Sequence, residues 1–201
     1  MNEKIFKYYA IYKPFGYLSQ FVCEHNNKKL LGDLYTLDED VMPIGRLDEP
    51  SEGLLLLSNN GQFHQHLLAH QVEKEYWVLV EGDVTNDTIN LLEEGVDISH
   101  QSTLYKTKPA KVKRIADEDA NFFERYPRVR YHKYNPHTWL SITLKEGRFR
   151  QVRKMTAVVG HPTLRLVRMR VGNYKISTKT PIGLIEEVNP KELVTLFNFI
   201  G

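Results

Sequence analysis

The sequence predicts an α+β fold, in which a mixed, mainly antiparallel sheet is flanked by helices. Segments with strand character outnumber segments with helical spacing, and many neighbouring strands lie close enough along the chain to form hairpins. Strands and helices do not alternate regularly, as they would in a parallel α/β protein. The 201 residues, of which 41% are hydrophobic and 26% charged, suffice for one domain or two closely packed lobes.

Strands are predicted from the alternation of apolar and polar residues, or from short apolar runs between turn residues. Lys74 to Glu81 and Trp139 to Lys145 alternate, whereas Leu54 to Ser58 is a short run typical of a fully buried strand. Residues 117–137 are expected to form an irregular connection, because prolines interrupt any periodicity there. Further strands are expected at residues 6–12, 104–115 and 163–176, and turn or loop segments at residues 13–16 and 43–53.

Helices are predicted where apolar residues recur at helical spacing and a stop signal follows. One of them, at residues 148–159, carries Phe149, Val152, Thr156 and Val159 on one stripe. Such a stripe is typical of a helix that packs against a core. The remaining helices are expected at residues 62–70, 85–94 and 191–199.

Cysteine content and the apolar runs exclude several classes of protein. Cys23 is the sole cysteine, so no intramolecular disulfide can form, and the chain lacks the Cys/His spacing of a zinc site. The run from Leu54 to Leu57 is far too short to span a bilayer, and the first fourteen residues lack a signal-peptide stretch. We therefore expect a cytoplasmic protein without a metal.

Positive charge is concentrated in one part of the chain, although the formal net charge is only +2. Between Lys145 and Arg170 there are eight basic residues and one acidic residue, Glu146. This pattern favours a surface that binds a polyanion. Solvated basic side chains on a helix and a strand would give the same pattern.

A carboxylate in a glycine-flanked loop is the first candidate for chemistry. Asp48 lies within GRLDEPSEG, residues 45–53, directly before the predicted buried strand. Such a loop can hold the carboxylate at the edge of a cleft while the strand fixes its position. An aspartate in this setting can equally bond the backbone amides of its own turn.

Two further patterns fit nucleic-acid binding. Tyr76, within the K-E-Y of residues 74–76, can present its ring to a stacked base or be a half-buried strand residue. Arg148, Arg150 and Arg153 crowd a predicted helix start, where the helix dipole favours phosphate. One of these arginines can instead pair with a buried carboxylate, and an ordinary exposed basic face is a third interpretation.

Taken in their order along the chain, three sequence motifs resemble those of the RsuA-type pseudouridine synthases. GRLD-x-x-S-x-GLLLL is followed by K-x-Y and then by L-x-EGR-x-RQVR-x-M, and the similarity runs from about Tyr9 to Val188. The stretch from Trp139 to Arg168 is most similar to the RluE-like branch, which leads us to expect no amino-terminal S4 domain. The resemblance implies a single catalytic domain over residues 1–201, with two lobes around a central cleft. It also implies isomerisation of a uridine in RNA without a cofactor.

The resemblance assigns roles residue by residue. It implies that Asp48 is the catalytic nucleophile, that Tyr76 packs on the uracil ring, and that Arg153 pairs with Asp48. Arg46 would help to displace the target nucleotide from its stack. A carboxylate can attack the sugar or remove a sugar proton, and the sequence leaves both routes open. The RNA-binding residues expected are Arg46, Lys74, Leu144, Arg148, Arg150, Lys154, Arg165 and Arg168.

The chain departs mildly from the family pattern at Ser51, where the family often has Thr, and at residues 58–61, where it often has TNDG. Both positions are expected to lie off the reacting atoms, so activity is expected to be retained.

The expected partner is RNA, most simply large-subunit ribosomal RNA, bound by a monomer. Small-subunit ribosomal RNA and transfer RNA are alternatives. Three other functions fit less well. A non-catalytic RNA-binding or ribosome-assembly protein has no need of Asp48, a glycosidase would release free uracil, and a phosphatase or nuclease would need metal-binding carboxylates.

Overall fold

The structure is a computed structural model that describes residues 5–22, 27–69, 72–124, 128–129 and 136–199. The strands within these residues are β1 (Tyr8–Lys13), β2 (Tyr17–Leu18), β3 (Lys29–Leu30), β4 (Met42–Pro43), β5 (Glu52–Ser58), β6 (Lys74–Glu81), β7 (Asp97–His100), β8 (Thr103–Lys106), β9 (Lys111–Ile115), β10 (His137–Leu144), β11 (Thr163–Val171), β12 (Tyr174–Lys175) and β13 (Ile185–Glu187). The α-helices are α1 (Gly61–Ala69), α2 (Asn86–Glu94), α3 (Gln151–Val158) and α4 (Leu193–Phe197). Short 3-10 helices cover Leu31–Asp33 and Pro190–Glu192.

A mixed sheet organises the fold. Within the described residues it has nine strands, with the order β13-β1-β5-β11-β6-β10-β9, and with β12 beside β11 and β4 beside β5. Its pairings are antiparallel except for that of β5 with β11. The predicted α+β class with a mixed, mainly antiparallel sheet is confirmed.

The parallel pairing of β5 with β11 joins two halves of the sheet. The register there is short, with Glu52 opposite Val167 and Gly53 opposite Arg168. Gly53 has a φ of +100°, and a Cβ at this position would collide with the carbonyl oxygen of Arg168. Only glycine lets the two strands approach this closely, and the loop that carries Asp48 ends at this junction.

Each half of the sheet has its own apolar core. On one side, α2 and α3 pack against β6 and β10, with Ile142 and Met155 fully buried. On the other, α1 and α4 pack against β1 and β5 around Phe63 and Phe197. Two cores that meet at one strand pair explain the two lobes expected from the sequence.

The first part of the predicted irregular connection packs on the far face of the sheet. Residues 116–124 have no regular helix or strand, and Phe122 packs against Trp77 and Trp139 with ring centroids 5.7 and 5.4 Å apart. Residues 125–127 and 130–135 of this connection, like Cys23, lie outside the described residues.

Two predicted strands are each divided by a turn. The segment at 104–115 forms β8 and β9, because Pro109 between them has no N–H to donate to a sheet. The segment at 163–176 reverses at Gly172 and Asn173, so β11 and β12 form a hairpin. Strand β7, which pairs with β8, was not predicted.

The third helix begins later than predicted. α3 starts at Gln151, because Arg150 has a left-handed backbone conformation with a φ of 54° that cannot continue a right-handed helix. Val152 and Thr156 are buried, in keeping with the predicted stripe, but Phe149 lies in the preceding loop and is 68% exposed. The predicted place of Phe149 on the apolar stripe is therefore wrong.

None of the helices in the described part of the chain combines the length and the apolar character needed to cross a membrane.

Candidate active site

A cavity of about 690 Å³ lies where the two halves of the sheet meet. Its wall is built from the loop of residues 44–51, one face of β6, the end of β10, the loop of residues 145–150, and β11. Most of the site residues predicted from the sequence converge here: Asp48, Tyr76, Arg46, Lys74, Leu144, Arg148, Arg150 and Arg168 all line it.

The loop that carries Asp48 is fixed by hydrogen bonds on both sides of the carboxylate. Ser19 binds Leu47 twice, donating from Oγ to the carbonyl oxygen at 2.9 Å and accepting from the amide at 3.0 Å. The Gly16 amide donates to the Glu49 carbonyl at 2.8 Å, and the Ser51 amide closes a turn onto the Asp48 carbonyl at 2.9 Å. A carboxylate on such a loop is held in one place, as catalysis requires.

A buried lysine that holds this loop from beneath was missed by the sequence analysis. Lys13 ends β1, is 0% exposed, and donates from Nζ to the carbonyl oxygens of Pro14 at 2.8 Å and Glu49 at 3.4 Å. Burial lowers the pKa of Lys13 to about 7, although Glu52 and the acidic residues of the loop act in the opposite direction. The sequence signal was a lysine at the end of an apolar strand, which was assigned to a turn.

Tyr76 and Lys74 point from β6 into the cavity. Tyr76 lies between Ile142 of β10 and Arg168 of β11 in the sheet register. It packs against the core around Ile142 and against a separate cluster that includes Leu47 and Leu55. Lys74, two residues earlier and on the same face, donates from Nζ to the Val72 carbonyl at 3.1 Å. Burial, and then the nearby Arg168 cation, lowers the pKa of Lys74 to about 8.

Arg153 reaches the Asp48 loop from α3. Its Nη2 donates to the carbonyl oxygen of Pro50 at 2.6 Å and lies 3.5 Å from the Ser51 hydroxyl. The pairing of Arg153 with the Asp48 carboxylate stays a prediction. The guanidinium does contact the loop that carries Asp48. Arg168 is 4% exposed and donates from Nε to the Leu54 carbonyl at 2.7 Å, so it joins the cavity wall to β5.

Arg165 does not have the environment of an RNA-binding residue. It is 7% exposed and forms a two-pronged ion pair with Glu52, from Nε at 3.0 Å and from Nη2 at 2.8 Å. Its guanidinium also lies 5.0 Å from the ring centroid of Phe122, on the far face of the sheet. We correct its expected role to that of an internal ion pair, which the sequence could not distinguish from a surface cation.

Lys154 lies beside the cavity wall without lining it. Its Nζ donates to the Ser99 carbonyl at 2.6 Å and lies 5.4 Å from the ring centroid of Phe149. Its predicted contact with RNA stays a prediction.

The amino-acid sequence matches a known family of enzymes. Residues 7–158 match the family model of RNA pseudouridylate synthases. The chain belongs to this family, and it is an isomerase that converts uridine in RNA to pseudouridine.

Relatives with more specific names match most of the chain. The ribosomal large subunit pseudouridine synthase E of Xanthomonas axonopodis pv. citri (strain 306) is 40% identical over 177 residues, which are 87% of this chain and 90% of that protein. The enzyme of the same name from Vibrio vulnificus (strain CMCP6) is 42% identical over 84% of this chain and 70% of its own length. The ribosomal small subunit pseudouridine synthase A of Escherichia coli (strain K12) is 29% identical over 94% of this chain and 74% of its own length. The resemblance predicted from the sequence is confirmed.

The fold agrees with this assignment. A crystal structure of a pseudouridylate synthase superposes with a TM-score of 0.74, covering 98% of this chain and 76% of that chain at 22% identity. A human protein, RNA Pseudouridylate Synthase Domain Containing 1, superposes with a TM-score of 0.52 over 87% of this chain and 80% of that chain. The predicted pseudouridine synthase fold is therefore confirmed.

Proposed function

We propose that this protein converts a uridine of large-subunit ribosomal RNA to pseudouridine, with Asp48 as the catalytic carboxylate. The observation that carries the proposal is that Asp48 and Tyr76, which lie on different elements, line one cavity with cationic walls. Large-subunit RNA is favoured because the two large subunit pseudouridine synthases E described above are 40% and 42% identical, against 29% for the relative named for the small subunit. We further propose that the protein acts in the cytoplasm, as a monomer with a single catalytic domain.

The reaction rearranges bonds and adds no atom. The N1–C1′ glycosidic bond breaks, the detached uracil turns within the cavity, and a new bond forms between C5 and C1′. The proton lost from C5 balances the proton gained at N1, so the isomerisation needs no oxidant, reductant or phosphoryl donor. Asp48 serves either by attacking the sugar or by removing a sugar proton, and both routes require an ionised carboxylate held at the sugar.

The cavity must keep the detached uracil from leaving. Its volume of about 690 Å³ is that of a site for a small organic ligand. The Tyr76 ring supplies a flat apolar surface for the uracil, and Leu144 adds an apolar contact from the end of β10. Lys74 and Arg168, which line the cavity, supply donors for the uracil carbonyl oxygens.

The rim of the cavity fits an RNA strand. Arg46, Arg148 and Arg150 are exposed and line the opening, where they can meet phosphates. A base in structured RNA must leave its stack before Asp48 can reach the sugar, and Arg46 lies next but one to Asp48 in the loop. We assign Arg46 to the displacement of the target nucleotide.

Pseudouridine mapping of total RNA from cells with and without this protein tests the proposal. In cells without the protein, we expect one position of large-subunit ribosomal RNA to lack its pseudouridine. Expression of the wild-type protein should restore the pseudouridine, and expression of Asp48→Asn should not. A lost site only in small-subunit or transfer RNA would contradict the proposed substrate, and no lost site would contradict the function. Release of free uracil by the purified protein would indicate a glycosidase, and binding without conversion a non-catalytic protein.

A further inference from the structure

Phe149 is a large apolar side chain that the structure leaves in solvent at the cavity. It is 68% exposed, yet it lines the same cavity as Asp48 and Tyr76. The proposed reaction at the sugar assigns no role to the Phe149 ring. Its neighbours in the chain, Arg148 and Arg150, are exposed cations that also line the cavity.

The loop that presents Phe149 is tied down at several points. The Arg148 amide donates to Gln151 Oε1 at 2.9 Å, and Gln151 Nε2 donates to Glu146 Oε1 at 2.6 Å. The Tyr105 hydroxyl donates to Glu146 Oε2 at 2.6 Å, and the Arg148 guanidinium lies 4.6 Å from the Tyr105 ring centroid. The loop is therefore fixed by its own contacts, and these contacts leave the Phe149 ring outside.

The backbone of Arg150 is what directs the ring outward. Its left-handed φ of 54° is unfavourable for a residue other than glycine, so the surrounding hydrogen bonds must hold it. If the residue were helical, Phe149 would fall on the stripe with Val152 and pack inward. The Lys154 ammonium lies 5.4 Å from the centroid of the outward ring.

We propose that Phe149 stacks on a base of the substrate RNA next to the displaced uridine. This inference rests on the proposed function, because it takes RNA as the ligand of the cavity. A flat ring between two arginines suits a nucleic-acid strand, whose phosphates meet the cations while a base covers the ring. Displacing the uridine leaves a gap in the stack, and an apolar ring at the cavity mouth is placed to cover the exposed neighbour.

An apolar protein partner would fit this surface less well. Arg148 and Arg150 are exposed cations on either side of Phe149 in the chain, and the Lys154 ammonium lies near its ring. An apolar partner would have to desolvate these charges. The surface is also continuous with the cavity that takes the nucleotide.

Isolated exposed apolar residues are common, so a matched control is needed. Phe123 is 49% exposed, and it is not among the residues that line the cavity. Phe123→Ala makes the same chemical change as Phe149→Ala at a place where no RNA base is expected.

The test uses two probes with each variant. The first is unmodified large-subunit ribosomal RNA transcribed in vitro, for the single-turnover rate of pseudouridine formation. The second is a single-stranded RNA oligonucleotide that contains 2-aminopurine, whose fluorescence falls when the base stacks on an aromatic ring. We expect Phe149→Ala and Phe149→Leu to lower the single-turnover rate at subsaturating enzyme by about tenfold and to lose most of the quenching. Phe149→Trp should retain both, and Phe123→Ala should match the wild type.

The salt dependence of binding separates stacking from phosphate contact. Phe149→Ala should keep the wild-type slope of log affinity against log salt, whereas Arg148→Ala should reduce that slope by about one. Equal behaviour of Phe149→Leu and the wild type with both probes would overturn the stacking role.

The outcomes also separate this inference from the proposed function. If the wild type converts uridine and the Phe149 variants do so equally well, the function stands and the stacking role falls. If the wild type converts nothing but quenches the oligonucleotide through Phe149, the stacking role stands and the function falls. If neither conversion nor Phe149-dependent quenching occurs, both fall.

Discussion

Arg153 connects α3 to the loop of Asp48 through its guanidinium group. Its Nη2 lies 2.6 Å from the Pro50 carbonyl, two residues beyond Asp48. A planar guanidinium can bind this carbonyl and still present further N–H groups to a carboxylate, which a lysine ammonium cannot do with the same geometry. The role of Arg153 is therefore expected to be positional as well as electrostatic.

Arg153→Lys should fold and bind RNA but react slowly, and Arg153→Ala should be slower and less stable. Single-turnover rates at saturating enzyme, measured with the free energy of unfolding, check this expectation. Lys191→Ala, a change at an exposed lysine outside the cavity wall, is the control. If Arg153 merely met a phosphate, both variants would bind more weakly and keep the wild-type saturating rate.

Lys13 makes stability depend on pH in a definite direction. Its pKa falls from an ordinary 10.5 to about 7 in the folded protein, because it is buried. Between these two pH values, the unfolded chain binds more protons at Lys13 than the folded chain does. The free energy of unfolding therefore increases as the pH rises from about 7, and this gain is lost when the pH falls again.

We expect the free energy of unfolding of Lys13→Met to rise less steeply with pH than that of the wild type. The difference in slope should approach, at most, about 1.4 kcal/mol per pH unit. Denaturant unfolding at several values between pH 7 and pH 9 measures both slopes, and Lys74, whose lowered pKa acts in the same sense, is common to both proteins. Parallel profiles would show that Lys13 does not titrate in this range.

At the scale of elements, the β5–β11 junction decides where the site forms. Gly53→Ala places a Cβ against the backbone of Arg168, with its nitrogen only 2.8 Å away, and forces a φ of +100° on a residue that disfavours it. We expect a loss of about 2 kcal/mol or more in the free energy of unfolding, with reduced activity in whatever remains folded. Gly61→Ala, where no atom lies within 4 Å, should change stability by less than about 1 kcal/mol. Equal stability of the two variants would contradict this role of the junction.

The elements also show what the sequence could and could not predict. Lys74 to Glu81 was predicted with its correct bounds, because Tyr76, Val78 and Val80 alternate along β6 and pack into one core. The start of α3 was predicted too early, because the left-handed conformation of Arg150 depends on hydrogen bonds between residues that come together only in the fold. Residue types alone gave no sign that Phe149 would face solvent.

The sequence predicted only those site residues that belong to recognisable motifs. Asp48 and Tyr76 were found from patterns of known meaning, and both line the cavity. The partner of Arg165 could not be found, because Glu52 lies 113 residues away and meets it only through the sheet. Lys13 was missed because burial of a strand-end lysine depends on the loop that folds over it.

At the scale of the whole molecule, fewer of the basic side chains between Lys145 and Arg170 are available to bind RNA than their number in the sequence suggests. Arg165 and Arg168 are buried, and Arg170 pairs with Glu73 and Glu75 on the far face of the sheet. The cations of this stretch left to meet RNA phosphates are therefore those at the cavity rim and along α3.

RNA binding should weaken as salt rises, because phosphate contacts release counterions. We expect Arg148→Ala and Arg150→Ala each to reduce the slope of log affinity against log salt by about one, and Lys191→Ala to leave it unchanged. Binding isotherms with a large-subunit ribosomal RNA transcript at a series of salt concentrations provide the slopes. A wild-type affinity that does not change with salt would contradict an electrostatic contact surface at this rim.

The conversion of uridine by Asp48→Asn tests the central claim most directly. The substitution removes one charge from a loop whose shape is set by backbone hydrogen bonds, so the fold and the cationic rim should persist. The measurement is single-turnover pseudouridine formation at saturating enzyme on the large-subunit RNA substrate, together with RNA affinity, with Asp87→Asn on the exposed surface of α2 as the control. We predict no conversion by Asp48→Asn, an affinity within about threefold of the wild type, and full conversion by the control. Conversion by Asp48→Asn at a rate near that of the wild type would contradict the assignment of this carboxylate to the reaction.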